Sequence, residues 1–192
     1  MTGRFVLASA SPQRKTLLEG LGVQFDVVPS TVDEAAHIER DPVQRARVLA
    51  SMKAKDVASK EGTGKWVIGC DTLVVADEGT VLEKPVDEQD ARRMIELQSG
   101  KTSWVHSGIS LVSPEGEEWL DVSSSSVTFR SLSKADVDWW IEKGLWKGRS
   151  GSFQIDGLGQ LMIERIEGDW TSIVGFPVFA FGELVRKAKL SW

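Results

Sequence analysis

The sequence predicts a mixed α/β fold, and three features carry that expectation. Strand-like and helix-like segments alternate through the first half of the chain. Two tight turns, Asp77-Glu78-Gly79 and Pro114-Glu115-Gly116, join neighbouring strand candidates into hairpins, so the sheet is not purely parallel. Helix starts are marked by cap residues, several followed by proline. With 192 residues the chain is long enough for one domain with a real core or for two closely packed lobes, and residues 1–192 are taken as a single domain.

The elements follow in order. Arg4–Ala8 reads as a short buried strand. Ser11-Pro12 opens a helix whose apolar face is Leu17, Leu18 and Leu21 and which Gly22 closes. Gln24–Val28 reads as a second strand, and Asp41-Pro42 opens a longer helix to about Lys60. Lys65–Ala76 is an apolar strand interrupted by Asp71, followed by the first hairpin turn. Asp87 caps a helix to Gln98, with Gly100 as its stop. Thr102–Val112 and Glu118–Arg130 form the second hairpin, whose run Ser123–Ser126 is expected at an exposed strand or edge. Ser133 with Asp136 resembles a capping box for a helix to Lys143. Gly144–Gly159 is a glycine-rich loop, Leu161–Ile166 a strand and Pro177–Lys189 a terminal helix.

Composition narrows the function. A net charge of −5 argues against a protein that coats a nucleic-acid polymer, which carries a basic surface. The single cysteine, Cys70, rules out an internal disulfide. With no leader and no run approaching the roughly 18 apolar residues of a membrane span, the expectation is a cytoplasmic protein without membrane association. Ser59 and Trp66 break any P-loop around Gly64-Lys65, and no GxGxxG opens a helix. His37, His106 and Cys70 give no zinc spacing, and no GxSxG elbow is present. Carboxylates, lysines and arginine remain, a set suited to Mg²⁺ and phosphoryl chemistry.

Five segments look chemical. Leu7–Lys15 runs from a strand into a helix start, where free N–H groups and the dipole favour an anion. Arg14 opposes that dipole, so a bound phosphate would account for it; the alternative is that Ser11 is only a cap and Arg14 a solvated charge. Asp71 costs several kcal/mol in an apolar strand unless a metal, a lysine or a catalytic water compensates it, or it marks a bulge. Neighbouring Gly69 leaves room for a ligand or a backbone. Lys53 lies on the stripe of Val43, Ala46, Ala50 and Val57 and either snorkels or serves an anion. Lys84, before Pro85, is carried by the hairpin back towards Asp71, or is simply solvated. In Arg149–Gly159, Phe153 and Asp156 are placed to stack on and hydrogen-bond a base, if the segment is more than a connecting loop.

In order, LASASPQRKTLLEGLG, VDEA, the lysine of ASMKAKDVA, GCDTLVVA, LEKP, GRSGSFQIDGLG and IVGFPV resemble the Maf family from about residue 5 to 185. The resemblance implies a metal-dependent nucleoside triphosphate pyrophosphatase using Mg²⁺ or Mn²⁺, a homodimer, with a bent mixed sheet in two lobes around a cleft, similar to inosine triphosphate pyrophosphatases. It implies that Asp71 is the base that activates water. Ser9, Arg14, Glu34, Lys53 and Lys84 would surround triphosphate and metal, with Glu34 and Asp71 on the metal and Arg14, Lys53 and Lys84 on the phosphates. Ser11, Gln13, Thr72 and Asp156 complete the substrate side. The pyrimidine-preferring pattern has Arg, Thr and Gln at positions 13, 72 and 156, and the 7-methyl-GTP pattern has Trp, Gln and Glu. Gln13, Thr72 and Asp156 match neither fully: Thr72 favours dTTP and UTP, whereas acidic Asp156 favours a cationic base. The family's histidine position is Ser103 here. A division regulator acting through a partner protein, or a sensor without turnover, is the alternative to an enzyme.

Overall fold

The computed structural model describes residues 5–34, 36–37, 39–61, 64–77 and 79–191. Arg4 of the first expected strand, Ala35 of the VDEA segment and Glu78 of the first turn lie outside the described residues.

The predicted mixed α/β fold is found, as a seven-stranded sheet. Strands β1 (Phe5–Leu7), β2 (Phe25–Val27), β3 (Trp66–Val75), β5 (Thr102–Val112), β6 (Glu118–Phe129) and β7 (Ile163–Glu167) lie in the order β2-β1-β3-β5-β6-β7, and β4 (Val81–Leu82) also pairs with β3. Strand β1 is parallel to β2 and β3, and every other pairing is antiparallel. The helices start where the cap residues put them. Ser11 caps α1 (Pro12–Gly20), Asp41 accepts from the Val43 N–H at the head of α2 (Pro42–Glu61), Asp87 caps α3 (Glu88–Gln98), and Ser133 and Asp136 form a reciprocal box at α4 (Lys134–Lys143). No helix among the described residues is long and apolar enough to cross a membrane.

Two packing decisions position the site. On one face α2 lies directly on the sheet. A Cβ at Gly69 would sit 2.2 Å from the Ala50 carbonyl oxygen, and one at Gly108 2.2 Å from that of Ala46. Gly69 therefore admits the backbone of α2, not a ligand. On the opposite face Phe5, Ile68, Cys70 and Ile109 pack against α6 (Val178–Lys187) through Phe181 and Leu184. A third cluster, built on Trp140, Phe129 and Ile95, fills the end of the molecule where α3 and α4 sit.

Four expectations are corrected. Strand β7 starts at Ile163 rather than Leu161, because Leu158–Met162 winds into a 3₁₀ turn. The glycine-rich loop holds a second such turn at Ser150–Ser152. A short helix, α5 (Trp170–Val174), capped by Asp169, precedes Gly175. The serine run is an exposed edge only in part: Ser124 is exposed, whereas Ser125 is buried under the head of α5 and Ser126 where β7 joins β6.

Candidate active site

Strand β3 is paired along one edge with β5 from Val67 to Val75. Along its other edge β1 pairs with Trp66–Ile68, and β4 takes over only at Val74. Residues 69–73 between them have no strand on that side, and the sheet opens. The cleft formed there has a volume of about 810 Å³ and is lined by the start of α1, by α2 side chains, by the Glu83-Lys84 turn and by the loop of residues 148–156. That is within the size range of small-molecule sites.

Asp71 stands in the gap. Its position on β3 shares a face with Gly69, so it points to α2, and Lys53 reaches it: Nζ lies 2.6 Å from Asp71 Oδ1 and 2.9 Å from Glu34 Oε1. Asp71 and Lys53 are 3% and 7% exposed, so the lysine supplies the charge compensation that an aspartate inside an apolar strand requires. The other oxygen, Oδ2, is buried without a hydrogen-bond partner. Among the described residues no three histidine, cysteine or acidic side chains converge as a metal cage.

The segment leading to Glu34 is tied to the same helix. Asp56 accepts from Ser30 Oγ at 3.0 Å and from the Thr31 N–H at 2.8 Å. Hydrogen bonds from Lys60 and then from the Thr31 backbone hold the Asp56 carboxyl down at about 2. Burial raises the Glu34 carboxyl, but the Lys53 hydrogen bond and the charges of Lys53, Lys84 and Arg14 together outweigh it and hold it below the usual glutamate value. A depressed folded-state pKa stabilises the fold fully above the unfolded value and is lost as pH falls through the folded one. The melting-temperature difference between the wild type and Glu34→Gln is therefore expected to stay constant from neutrality to about pH 4.3. It narrows only below that, and narrowing already between pH 7 and 5 would contradict the assignment.

Across β3, Thr72 faces the opposite side, where α1 delivers Arg14. The guanidinium is fixed by three acceptors: Nε donates to the Gly175 carbonyl at 2.9 Å, Nη1 to Ser9 Oγ at 3.0 Å and Nη2 to Thr72 Oγ1 at 3.2 Å. With three of five N–H groups engaged, two remain, one on each terminal nitrogen, which is the fork a phosphate accepts. Ser9 also accepts from the Ser11 N–H, and Ser11 Oγ accepts from the Arg14 N–H while donating to Gln13 Oε1 at 3.2 Å. Ser9, Ser11, Gln13, Arg14, Glu34, Lys53, Asp71, Thr72, Lys84 and Asp156 all line the one cleft.

The far wall corrects one sequence reading, the stacking of Phe153 on a base. Phe153 borders the cleft but is 6% exposed and packs T-shaped with Phe129 at a centroid distance of 5.2 Å, so little of its ring is open to stack on a base. Asp156 lies 3.5 Å from Arg149, so an arginine stands beside the carboxylate expected to meet the base. Arg149 and Gln154, within the loop marked from the sequence, also line the cleft, as does Arg45, which the sequence reading missed. Arg45 bonds Glu83 at 2.8 Å and ties the Lys84 turn to α2, while the Gly151 N–H bonds the Glu83 carbonyl at 3.2 Å and ties it to the loop. Arg45 stands eight residues before Lys53 on the same helix, which is the signal that could have found it. Gln98 supports the loop from below, with Nε2 on the Gly151 carbonyl at 2.7 Å and Oε1 accepting from Ser103. Position 103 is thus part of a buried strut. His106 lies off the cleft, bonded to Ser124 at 2.8 Å. Burial, with Asp71 adding to it against Arg14 and Lys53, pushes the Cys70 thiol up to about 11, so it is no nucleophile at neutral pH.

A model of the Maf-like protein family matches residues 4–188. The dTTP/UTP pyrophosphatase of Deinococcus radiodurans is 42% identical over 188 residues, covering 98% of this chain and 94% of that protein. That of Syntrophotalea carbinolica is 42% identical over 184 residues, covering 95% and 83%. A solved dITP/XTP pyrophosphatase from Mycobacterium abscessus aligns over 66% of this chain and 72% of its own, with a TM-score of 0.41 and 18% identity, too loose a match to bear on the fold.

Proposed function

Because the chain belongs to the family of Maf-like proteins, we propose that it hydrolyses nucleoside triphosphates to the monophosphate and pyrophosphate, with dTTP and UTP preferred. The observation that carries the reading is the Asp71–Lys53–Glu34 triad in the sheet gap, with Asp71 and Lys53 buried, Glu34 reaching Lys53 from the exposed side, and Asp71 Oδ2 unpartnered. A water oxygen bonds the α-phosphorus and the bond from that phosphorus to the α–β bridging oxygen breaks. Pyrophosphate leaves, and Asp71 takes the water proton. Arg14 grips phosphate oxygens through its two remaining N–H groups, and Lys84 and Lys53 balance the charge that moves to the leaving group. Ser9 holds Arg14 in place, and Ser11 keeps the head of α1, with its positive dipole end, at the phosphates.

The donor set fits a divalent cation. Mg²⁺ is commonly bound by one or two carboxylates together with substrate phosphates, and Glu34 and Asp71, the latter with an unsatisfied oxygen, are such a pair. When bound, Mg²⁺ or Mn²⁺ polarises the phosphoryl oxygens. The family resemblance extends the reading to a homodimer in the cytoplasm.

The pyrimidine preference is supported by the dTTP/UTP pyrophosphatases that are 42% identical to this chain. Arg149, 3.5 Å from Asp156, places a cation at that end of the cleft, which disfavours a positively charged 7-methylguanine and supports an uncharged pyrimidine. Purified protein with Mg²⁺ or Mn²⁺ is expected to release pyrophosphate from dTTP and UTP faster than from CTP, GTP, ITP or 7-methyl-GTP. Preference for 7-methyl-GTP would overturn the base assignment, and no pyrophosphate from any triphosphate would overturn the enzyme.

A further inference from the structure

Thr72 bonds Arg14, but its own hydroxyl hydrogen is directed from behind. Ser107, its cross-strand neighbour on β5, is fully buried, and the two hydroxyl oxygens are 2.9 Å apart. Ser107 Oγ lies 2.6 Å from the carbonyl oxygen of Ser172 in α5, an atom that can only accept. A serine has one hydroxyl hydrogen, and this one goes to that carbonyl. Ser107 must then accept from Thr72, so the Thr72 hydrogen is spent on it. Thr72 Oγ1 is left with lone pairs only, one of which receives the Arg14 Nη2 hydrogen at 3.2 Å. Every bond in the series from Arg14 to Thr72 to Ser107 to the Ser172 carbonyl points the same way.

The far end is anchored. Ser172 Oγ donates to the Asp169 carbonyl at 2.7 Å and lies 2.9 Å from Ser125 Oγ, while the Asp169 N–H bonds Ser125 at 2.9 Å. Ser125 of β6 thus lashes the first turn of α5 to the sheet. Gly175, which follows α5, supplies the carbonyl that takes Arg14 Nε.

We propose that Ser107 is a positioning residue that fixes Thr72 as a hydrogen-bond acceptor and so holds the Arg14 fork at the angle a phosphate requires. This rests on the pyrophosphatase reading. Without the Ser107 oxygen the Thr72 hydrogen has the Gly175 carbonyl, at 3.5 Å, as its remaining neighbour, and the third anchor of Arg14 loses its direction.

The test is a double-mutant cycle on Ser107→Ala and Thr72→Val, with kcat and KM for dTTP, affinity for inorganic pyrophosphate and melting temperature measured for each. Ser107→Ala is expected to lower kcat/KM about tenfold, with weaker pyrophosphate binding, and the double variant is expected to be no worse than Thr72→Val alone. Wild-type kcat/KM in Ser107→Ala, or losses that multiply in the double variant, would overturn the proposal. If Ser107→Ala does not fold, Ser107→Cys, with its weaker donor, takes its place in the cycle under the same criteria. Absence of dTTP turnover by the wild type sinks the pyrophosphatase reading alone, since pyrophosphate affinity still follows the cycle if the Ser107 relay stands.

Discussion

Asp71→Asn is expected to lower pyrophosphate release from dTTP by at least about 10³-fold while leaving the fold intact. The substitution is isosteric, and its amide oxygen still accepts from Lys53, which keeps its second carboxylate partner, Glu34, at 2.9 Å. What disappears is the capacity of the unpartnered oxygen to take a proton or hold a cation, because an amide nitrogen at that place is a donor. The loss should fall on kcat, since Arg14 and Lys84 still bind the phosphates. Pyrophosphate release, measured beside a thermal melt, separates the outcomes: a well-folded Asp71→Asn protein within tenfold of wild-type kcat would remove Asp71 from the chemistry.

How much of this was legible in the sequence depends on the range of the interaction that fixes each feature. Caps are local: Ser11-Pro12, Asp41-Pro42, Asp87 and Ser133 with Asp136 each carry their own hydrogen-bonding logic within four residues, and each helix begins where that logic puts it. Asp71 was visible because a charge in an apolar strand is anomalous wherever the strand lies. Lys53 stayed ambiguous because its partner is 18 residues away, and only the packing of α2 on β3 decides between snorkelling and pairing. The far wall was least legible. Phe153 and Asp156 sit in a loop where no periodicity says which way a side chain points, so neither the burial of one nor the pairing of the other with Arg149 can be read from spacing. Helix α5 was missed for a related reason, being too short for an apolar period to show, although its Asp169 cap stands in the sequence. The four serines read as surface because serine usually is; Ser125 is buried because the head of α5 needs a hydroxyl from the strand beneath it.

The largest stability effect is expected from Gly69→Ala. A Cβ there would lie 2.2 Å from the Ala50 carbonyl oxygen, 2.7 Å from the Ala54 nitrogen and 2.8 Å from the Ala54 Cβ. None of these is the end of a flexible side chain, so the helix or the strand itself must move. Ala46, Ala50 and Ala54 recur every four residues on α2, all fully buried, and with Gly69 and Gly108 they let the helix backbone lie on the sheet. Overpacking at such a contact costs about 3 kcal/mol. The same displacement carries Lys53 away from Asp71 Oδ1, and a shift of about 1 Å in a catalytic group costs on the order of 10²-fold in rate. Gly69→Ala should therefore melt well below the wild type and, where still folded, lose kcat more than it raises KM. Gly20→Ala is the matched control, since a Cβ at Gly20 meets nothing within 4 Å. If Gly69→Ala melts and turns over like that control, close approach of α2 is not what holds Lys53 against Asp71.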